Sequence, residues 1–120
     1  MTDAVVFDES AYLELCAELG GEDTVEVLKI FLSDTSRKMG AIGSDLKARS
    51  TIMREGHSIK SSAGTLGFSE LSSLAQELEL RAESMDTAQL HGFLESLQRA
   101  FERVSKLAHA QLLGAGLEVS

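Results

Sequence analysis

Apolar residues return along this chain at alternating steps of three and four, the spacing that lines one face of an α-helix. Five segments follow that rule. The first runs from Asp8 to Leu19 and places Tyr12, Leu15, Cys16 and Leu19 together. It opens on an aspartate whose carboxylate can accept first-turn amide protons, and it closes at Gly20-Gly21. The second begins near Asp23 and carries Val25, Leu28, Leu32, Thr35, Met39, Ile42 and Leu46. Gly40 and Gly43 each weaken it by up to about 1 kcal/mol relative to alanine, which points to a bend or a close helix contact. Ser50 or Thr51 caps the third segment, which sets Ile52, Ile59, Ala63 and Leu66 on one side and stops near Gly67. Ser69 offers a cap for the fourth, with Leu71, Leu74, Leu78, Ala82 and Met85 inward. Asp86, with Gln89 three residues on, has the form of a capping box and opens the fifth. The stripe of that last helix is Leu90, Leu94, Leu97, Phe101, Val104 and Ala108.

No segment alternates with the period of two that marks a strand. The fold expected is therefore all-α. Four long amphipathic helices with short connections make an antiparallel four-helix bundle, with the short additional N-terminal helix over one end. One domain over residues 1–120 is expected, with 1–7 and 114–120 frayed.

Composition supports that picture and removes some functions from it. The 120 residues include no proline, the strongest helix breaker, and a hydrophobic fraction of 43%. Such a chain can close one core as a monomer. A net charge of −8 argues against binding nucleic acid or an anionic membrane, since both depend on Lys and Arg. Cys16 has no partner for an internal disulfide and reads as a small buried hydrophobe. No apolar run reaches membrane-spanning length and no signal peptide is visible, so a cytoplasmic protein is expected.

Nucleotide and metal chemistry find no support. There is no Gly-x-x-x-x-Gly-Lys-Ser/Thr loop, no Gly-x-Gly-x-x-Gly and no His-Glu-x-x-His. The residues three before His57, His91 and His109 are Arg54, Ala88 and Lys106, so no Glu-x-x-His pair is available for a metal either. No cofactor is expected, and His91 and His109 read as solvated helix positions.

His57 is set apart by its surroundings. On a helix, Ile52, Ile59, Ala63 and Leu66 lie roughly 180–240° away from it, while Met53, Lys60, Ser61, Gly64 and Phe68 lie within roughly 60°. If the first group faces the core, His57 faces water. Lys60 one turn on, and Arg54 one turn back, can stabilise an anionic group gained by the imidazole. Gly64 either lets a large partner approach the backbone or lets two helices pack. On spacing alone, an ordinary exposed histidine fits equally well.

The run His57-x-Ile59-Lys60-Ser61-Ser62-Ala63-Gly64-x-Leu66-Gly67 resembles the signature of histidine-containing phosphotransfer (HPt) domains, and the resemblance continues through Leu71 to Leu74-Ala75-Gln76-Glu77-Leu78-Glu79. It implies a four-helix bundle whose exposed histidine takes a phosphoryl group from the phospho-aspartate of a receiver domain, or from a sensor histidine kinase, and passes it to a response regulator. His57 matches the phosphoacceptor, Lys60 the charge partner and Gly64 the small residue beside the histidine. Glu79 matches a family position that often holds Glu or Gln and faces the histidine across the hairpin: either it accepts the Nδ1 proton and leaves Nε2 outward, or it belongs to the solvated face of its helix. The protein would be a phosphoryl carrier with no nucleotide site, and any divalent metal ion would sit on the receiver. Ser61 stands where many members have glycine, and Gly56 where many have alanine. Met53, Arg54, Ser61, Gly64 and Phe68 are the expected partner-binding residues, with covering the end of the bundle as the alternative for Phe68. A helical interaction module with an inert histidine is the competing expectation. So is a phosphoacceptor domain cut from a larger kinase, although the clean start and short tail lead us to expect a free-standing protein.

Overall fold

The carboxylate of Asp8 turns the chain helical: it accepts the backbone N–H of Ser10 at 3.1 Å and the Ser10 hydroxyl at 2.7 Å. From there the computed structural model, described over residues 6–113, is helical with short connections. The elements are α1 (Glu9–Leu19), α2 (Gly21–Ser44), α3 (Arg49–Leu66), α4 (Ser69–Arg81) and α5 (Thr87–Leu107), the last running into a π-helical stretch, Ala108–Leu113. Among the described residues there is no strand, and the all-α expectation holds.

The fifth helix follows its sequence pattern closely. Asp86 and Gln89 form the capping box, each side chain meeting the other's backbone N–H at 2.8–2.9 Å. Leu90, Leu97, Phe101, Val104 and Ala108 are buried, and Ala100 joins them. In α2 the buried ridge is Thr24, Leu28, Phe31, Thr35 and Ile42, whereas Val25, Leu32 and Met39 are only partly buried. Leu28, Thr35 and Ile42 of the expected stripe are thus buried, and the rest of the ridge shifts to Thr24 and Phe31. Leu46 lies beyond the helix, which ends at Ser44. Neither Gly40 nor Gly43 marks a close contact, since an added Cβ at either meets nothing within 4 Å. Cys16 is half-buried rather than enclosed.

Two helix starts differ from expectation. Ala48, not Ser50 or Thr51, precedes α3, and Phe68, not Ser69, precedes α4; neither start has a side-chain cap. A long-range tie holds the first of these. The Arg49 guanidinium donates to the carbonyls of Leu46 at 2.7 Å, of Met85 at 2.6 Å and of Ala82. It thereby ties the start of α3 to the chain that follows α4. Arg49→Ala is expected to lower stability by about 1–3 kcal/mol, read as an earlier urea midpoint at unchanged slope.

The turn from α3 to α4 has a different logic. Gly67 sits at φ 94°, in the left-handed region. Its N–H reaches the Gly64 carbonyl at 3.2 Å, and the Phe68 N–H reaches that of Ala63 at 2.8 Å. Those two bonds make a Schellman motif, which directs the following side chain back onto the helix. Phe68 is accordingly fully buried, stacked on Phe31 at 5.5 Å and against Phe7 at 5.6 Å. It offers no surface to a partner. Its expected place beside His57 came from carrying the 100° step past Gly67, where α3 has already ended.

Phe7 is also tied down: it packs edge-on against Tyr12 at 5.8 Å, and the Asp8 N–H donates to the Gly67 carbonyl at 2.6 Å. The expected fraying therefore does not extend to Phe7. The other positions expected to fray, 1–5 and 114–120, lie outside the described residues.

Candidate functional site

Helices α3 and α4 come backbone to backbone one residue before His57. Gly56 is buried, and a Cβ there would stand 3.2 Å from the Ala75 carbonyl oxygen and 3.3 Å from the Glu79 nitrogen. This small residue lets two backbones close up, and the closure delivers Glu79 to the histidine. Glu79 Oε2 lies 2.8 Å from His57 Nδ1, and Glu79 Oε1 lies 3.4 Å from Lys60 Nζ. One carboxylate thus spans the imidazole and the ammonium.

Its ionisation follows from the same contacts. Partial burial pushes the Glu79 carboxyl up, but hydrogen bonds from Lys60 and His57, with their charges, outweigh it and hold the pKa below the usual glutamate value. Glu79 is therefore an ionised acceptor at neutral pH. A carboxylate facing Nδ1 selects the tautomer protonated there and leaves the lone pair on Nε2. The His57 side chain is 59% exposed, so that nitrogen is open to an incoming group.

Gly64 has a packing role. The Ser72 hydroxyl of α4 donates to the Lys60 carbonyl at 2.9 Å, and a Cβ on residue 64 would stand 3.2 Å from that hydroxyl oxygen. Gly64 itself is exposed, as are Arg54 and Ser61, whereas Met53 is partly buried against the core. On the other flank, the largely buried Lys38 of α2 donates to Asp34 Oδ2 at 2.5 Å and to Ser58 Oγ at 2.6 Å. The hydrogen bond from Lys38, opposed by burial and supported by Arg37, holds the Asp34 carboxyl below its usual range. The residue after the histidine is thus pinned to α2. His91 and His109 are both exposed, the latter with Nδ1 2.8 Å from the Ser105 carbonyl oxygen. Among the described residues, no three His, Cys, Asp or Glu side chains gather as a metal site would require.

The structure thus brings His57, Lys60 and Glu79 into contact, sets Ser61, Gly64 and Arg54 at the surface, and removes Phe68. Gly56, Ser72 and Lys38 went unread as parts of the site. Only Gly56 left a sequence signal, as a glycine inside a helix next to the histidine.

The model of the Hpt domain family matches residues 26–107, a span that contains α3, α4 and α5. The chain belongs to the Hpt domain family. Membership brings a histidine phosphotransfer role in two-component phosphorelays, that of a phosphocarrier rather than an enzyme. It also implies interaction with receiver or kinase proteins. Neither the curated proteins nor the solved structures contain a match to this chain.

Proposed function

We propose that this HPt domain accepts a phosphoryl group on His57 Nε2 from the phospho-aspartate of a receiver domain, or from a sensor histidine kinase, and passes it to a response regulator. The observation that carries this reading is the 2.8 Å contact between His57 Nδ1 and Glu79 Oε2 beneath an exposed ring. In the transfer from a receiver, the Nε2 lone pair forms the N–P bond as the P–O bond to the aspartate breaks, and the carboxylate leaves with the electron pair. The ring becomes more positive as this happens, and the Nδ1 proton, already held by Glu79, shares that charge with the carboxylate. Lys60, 3.4 Å from the other Glu79 oxygen, lies within reach of the phosphoryl oxygens on the same helix face. Catalysis of this kind is mostly positioning and charge stabilisation, and the receiver would contribute its own metal ion. Working with such partners places the protein in the cytoplasm. No described helix is long and apolar enough to cross a membrane.

The test is phosphotransfer from radiolabelled receivers and kinases. The wild type is expected to take up label that is stable to alkali and lost in acid, while His57→Gln falls to background. Equal labelling of His57→Gln would remove His57 as the acceptor, and no labelling from any partner would favour an interaction module.

A further inference from the structure

Helix α2 and the end of α5 border a groove of about 380 Å³ to which α3 and α4 contribute no lining residue. That volume falls within the range of about 300–1,000 Å³ typical of small-molecule sites. The floor is apolar: Phe101 and Leu113 are buried, and Leu32 is partly buried. The sequence pattern expects Leu32 in the core; here it lines the groove instead.

The rim is polar. Lys29, Ser33 and Ser36 stand on α2, Ser105 on α5 and His109 on the π-helical stretch. The hydroxyls of Ser58, Ser62 and Thr65 are engaged within the fold. Those of Ser33, Ser36 and Ser105 have no hydrogen-bond partner among the described residues. His109 is fixed by its own backbone, with Nδ1 2.8 Å from the Ser105 carbonyl oxygen. A carbonyl can only accept, so Nδ1 carries a proton and Nε2 is the ring nitrogen left for a ligand. Short π-helical stretches of this kind recur at functional sites.

Charge decides the class of ligand. The chain holds 19 Asp and Glu, yet no described residue that lines the groove is acidic, and Lys29 brings a positive charge. The ion pair of Lys29 with Glu26, 3.7 Å long between exposed side chains, is easily exchanged. A net charge of −8 repels anions at a distance, so a lysine alone would hold one poorly. Here an apolar floor accompanies the lysine and adds burial to the ion pair.

We propose that this groove binds a small organic anion. Its apolar body lies against Leu32, Phe101 and Leu113, and its carboxylate or phosphate end meets Lys29 and the serine hydroxyls, with His109 Nε2 at its side. The site stands apart from the phosphoacceptor reading, since His57, Lys60 and Glu79 do not line it.

The test is ¹H–¹⁵N NMR titration of the full chain with phenylacetate and with phenyl phosphate, one probe for each anionic end. At least one is expected to saturate with a dissociation constant of about 1 mM or tighter. Saturation should move the amides of Ser33, Ser36, Ser105 and His109 together with the His109 Nε2 resonance, and the tighter probe identifies the end group. Benzyl alcohol, the body without the charge, should bind about tenfold more weakly, and so should acetate and inorganic phosphate, the charge without the body. Lys29→Gln should weaken the probe about fivefold or more, while Lys29→Arg keeps it. The spectra themselves check that both variants are folded. The site is overturned if neither probe saturates at these amides by about 10 mM. Equal binding of benzyl alcohol would reduce it to an apolar groove, and equal binding of acetate or phosphate to a surface lysine; either overturns it. So does a folded Lys29→Gln protein that binds as the wild type does.

Discussion

Glu79→Ala will slow phosphoryl acceptance by about ten- to a hundredfold, the range seen when a carboxylate orienting a histidine is removed at metal sites, and will leave the helical fold intact. The reason is the contact of 2.8 Å to Nδ1. Without the carboxylate, the ring is free to rotate and to place its proton on either nitrogen, and a ring protonated on Nε2 has no lone pair there for phosphorus. Lys60 loses its anchor in the same step, since Glu79 Oε1 holds it at 3.4 Å. Glu79→Gln separates the two contributions. Its amide oxygen can still accept from Nδ1 while the negative charge is gone, so it should retain more activity than alanine. Single-turnover transfer reads the rate, and ¹⁵N chemical shifts of the imidazole read the tautomer. A fast Glu79→Ala protein with the proton still on Nδ1 would show that something else orients the ring.

Gly67→Ala will cost about 2–5 kcal/mol, composed of about 1–2 for a side chain in left-handed backbone and about 1–3 for overpacking. Both contributions are visible at one residue. Its φ of 94° belongs to glycine, and an added Cβ would run into the Asp8 carbonyl oxygen. That oxygen belongs to a backbone already hydrogen-bonded to Gly67, with Phe7 packed on Phe68 behind it, so it cannot swing aside cheaply. Set against a total of about 5–15 kcal/mol for a small domain, the loss is large. Gly67→Asn is the informative companion, because asparagine tolerates the left-handed region but carries the same Cβ. A substantial deficit in asparagine assigns the cost to the collision with Asp8. Recovery to wild-type stability assigns it to the dihedral angle. Urea unfolding gives both numbers.

Local features of this fold were legible in the sequence, and features made by two segments meeting were not. The Asp86–Gln89 box and the stripe through Leu90, Leu97, Phe101 and Val104 depend on residues within a turn or two, so spacing alone finds them. The α2 ridge was legible only in part, at Leu28, Thr35 and Ile42, because Val25 and Leu32 are as apolar as Leu28 and only the neighbouring helices decide which of them is enclosed. Phe68 was misplaced because a glycine in left-handed backbone stops the helical projection at a point that the projection itself does not contain. At the site, the helical arithmetic put His57 in water and Lys60 beside it. Glu79 came only from the family resemblance, because no spacing rule connects residues on two helices. Arg49, Ser72 and Lys38 are polar residues whose partners lie 12 to 36 positions away, and nothing local announces them.

The short reach of the α3–α4 pair bears on how the reactive ring survives changes elsewhere. His57 and Glu79 are 22 positions apart, and the entropy lost in closing a loop rises only as about (3/2)RT ln n. Gly56 and Gly67 act inside that same interval, one letting the backbones touch and the other reversing the chain. The contact between the imidazole and its carboxylate is therefore made within one hairpin, which Lys38 of α2 steadies at Ser58 and Asp8 steadies at Gly67. Changes confined to the exposed faces of α1 and α5 are expected to leave that contact in place.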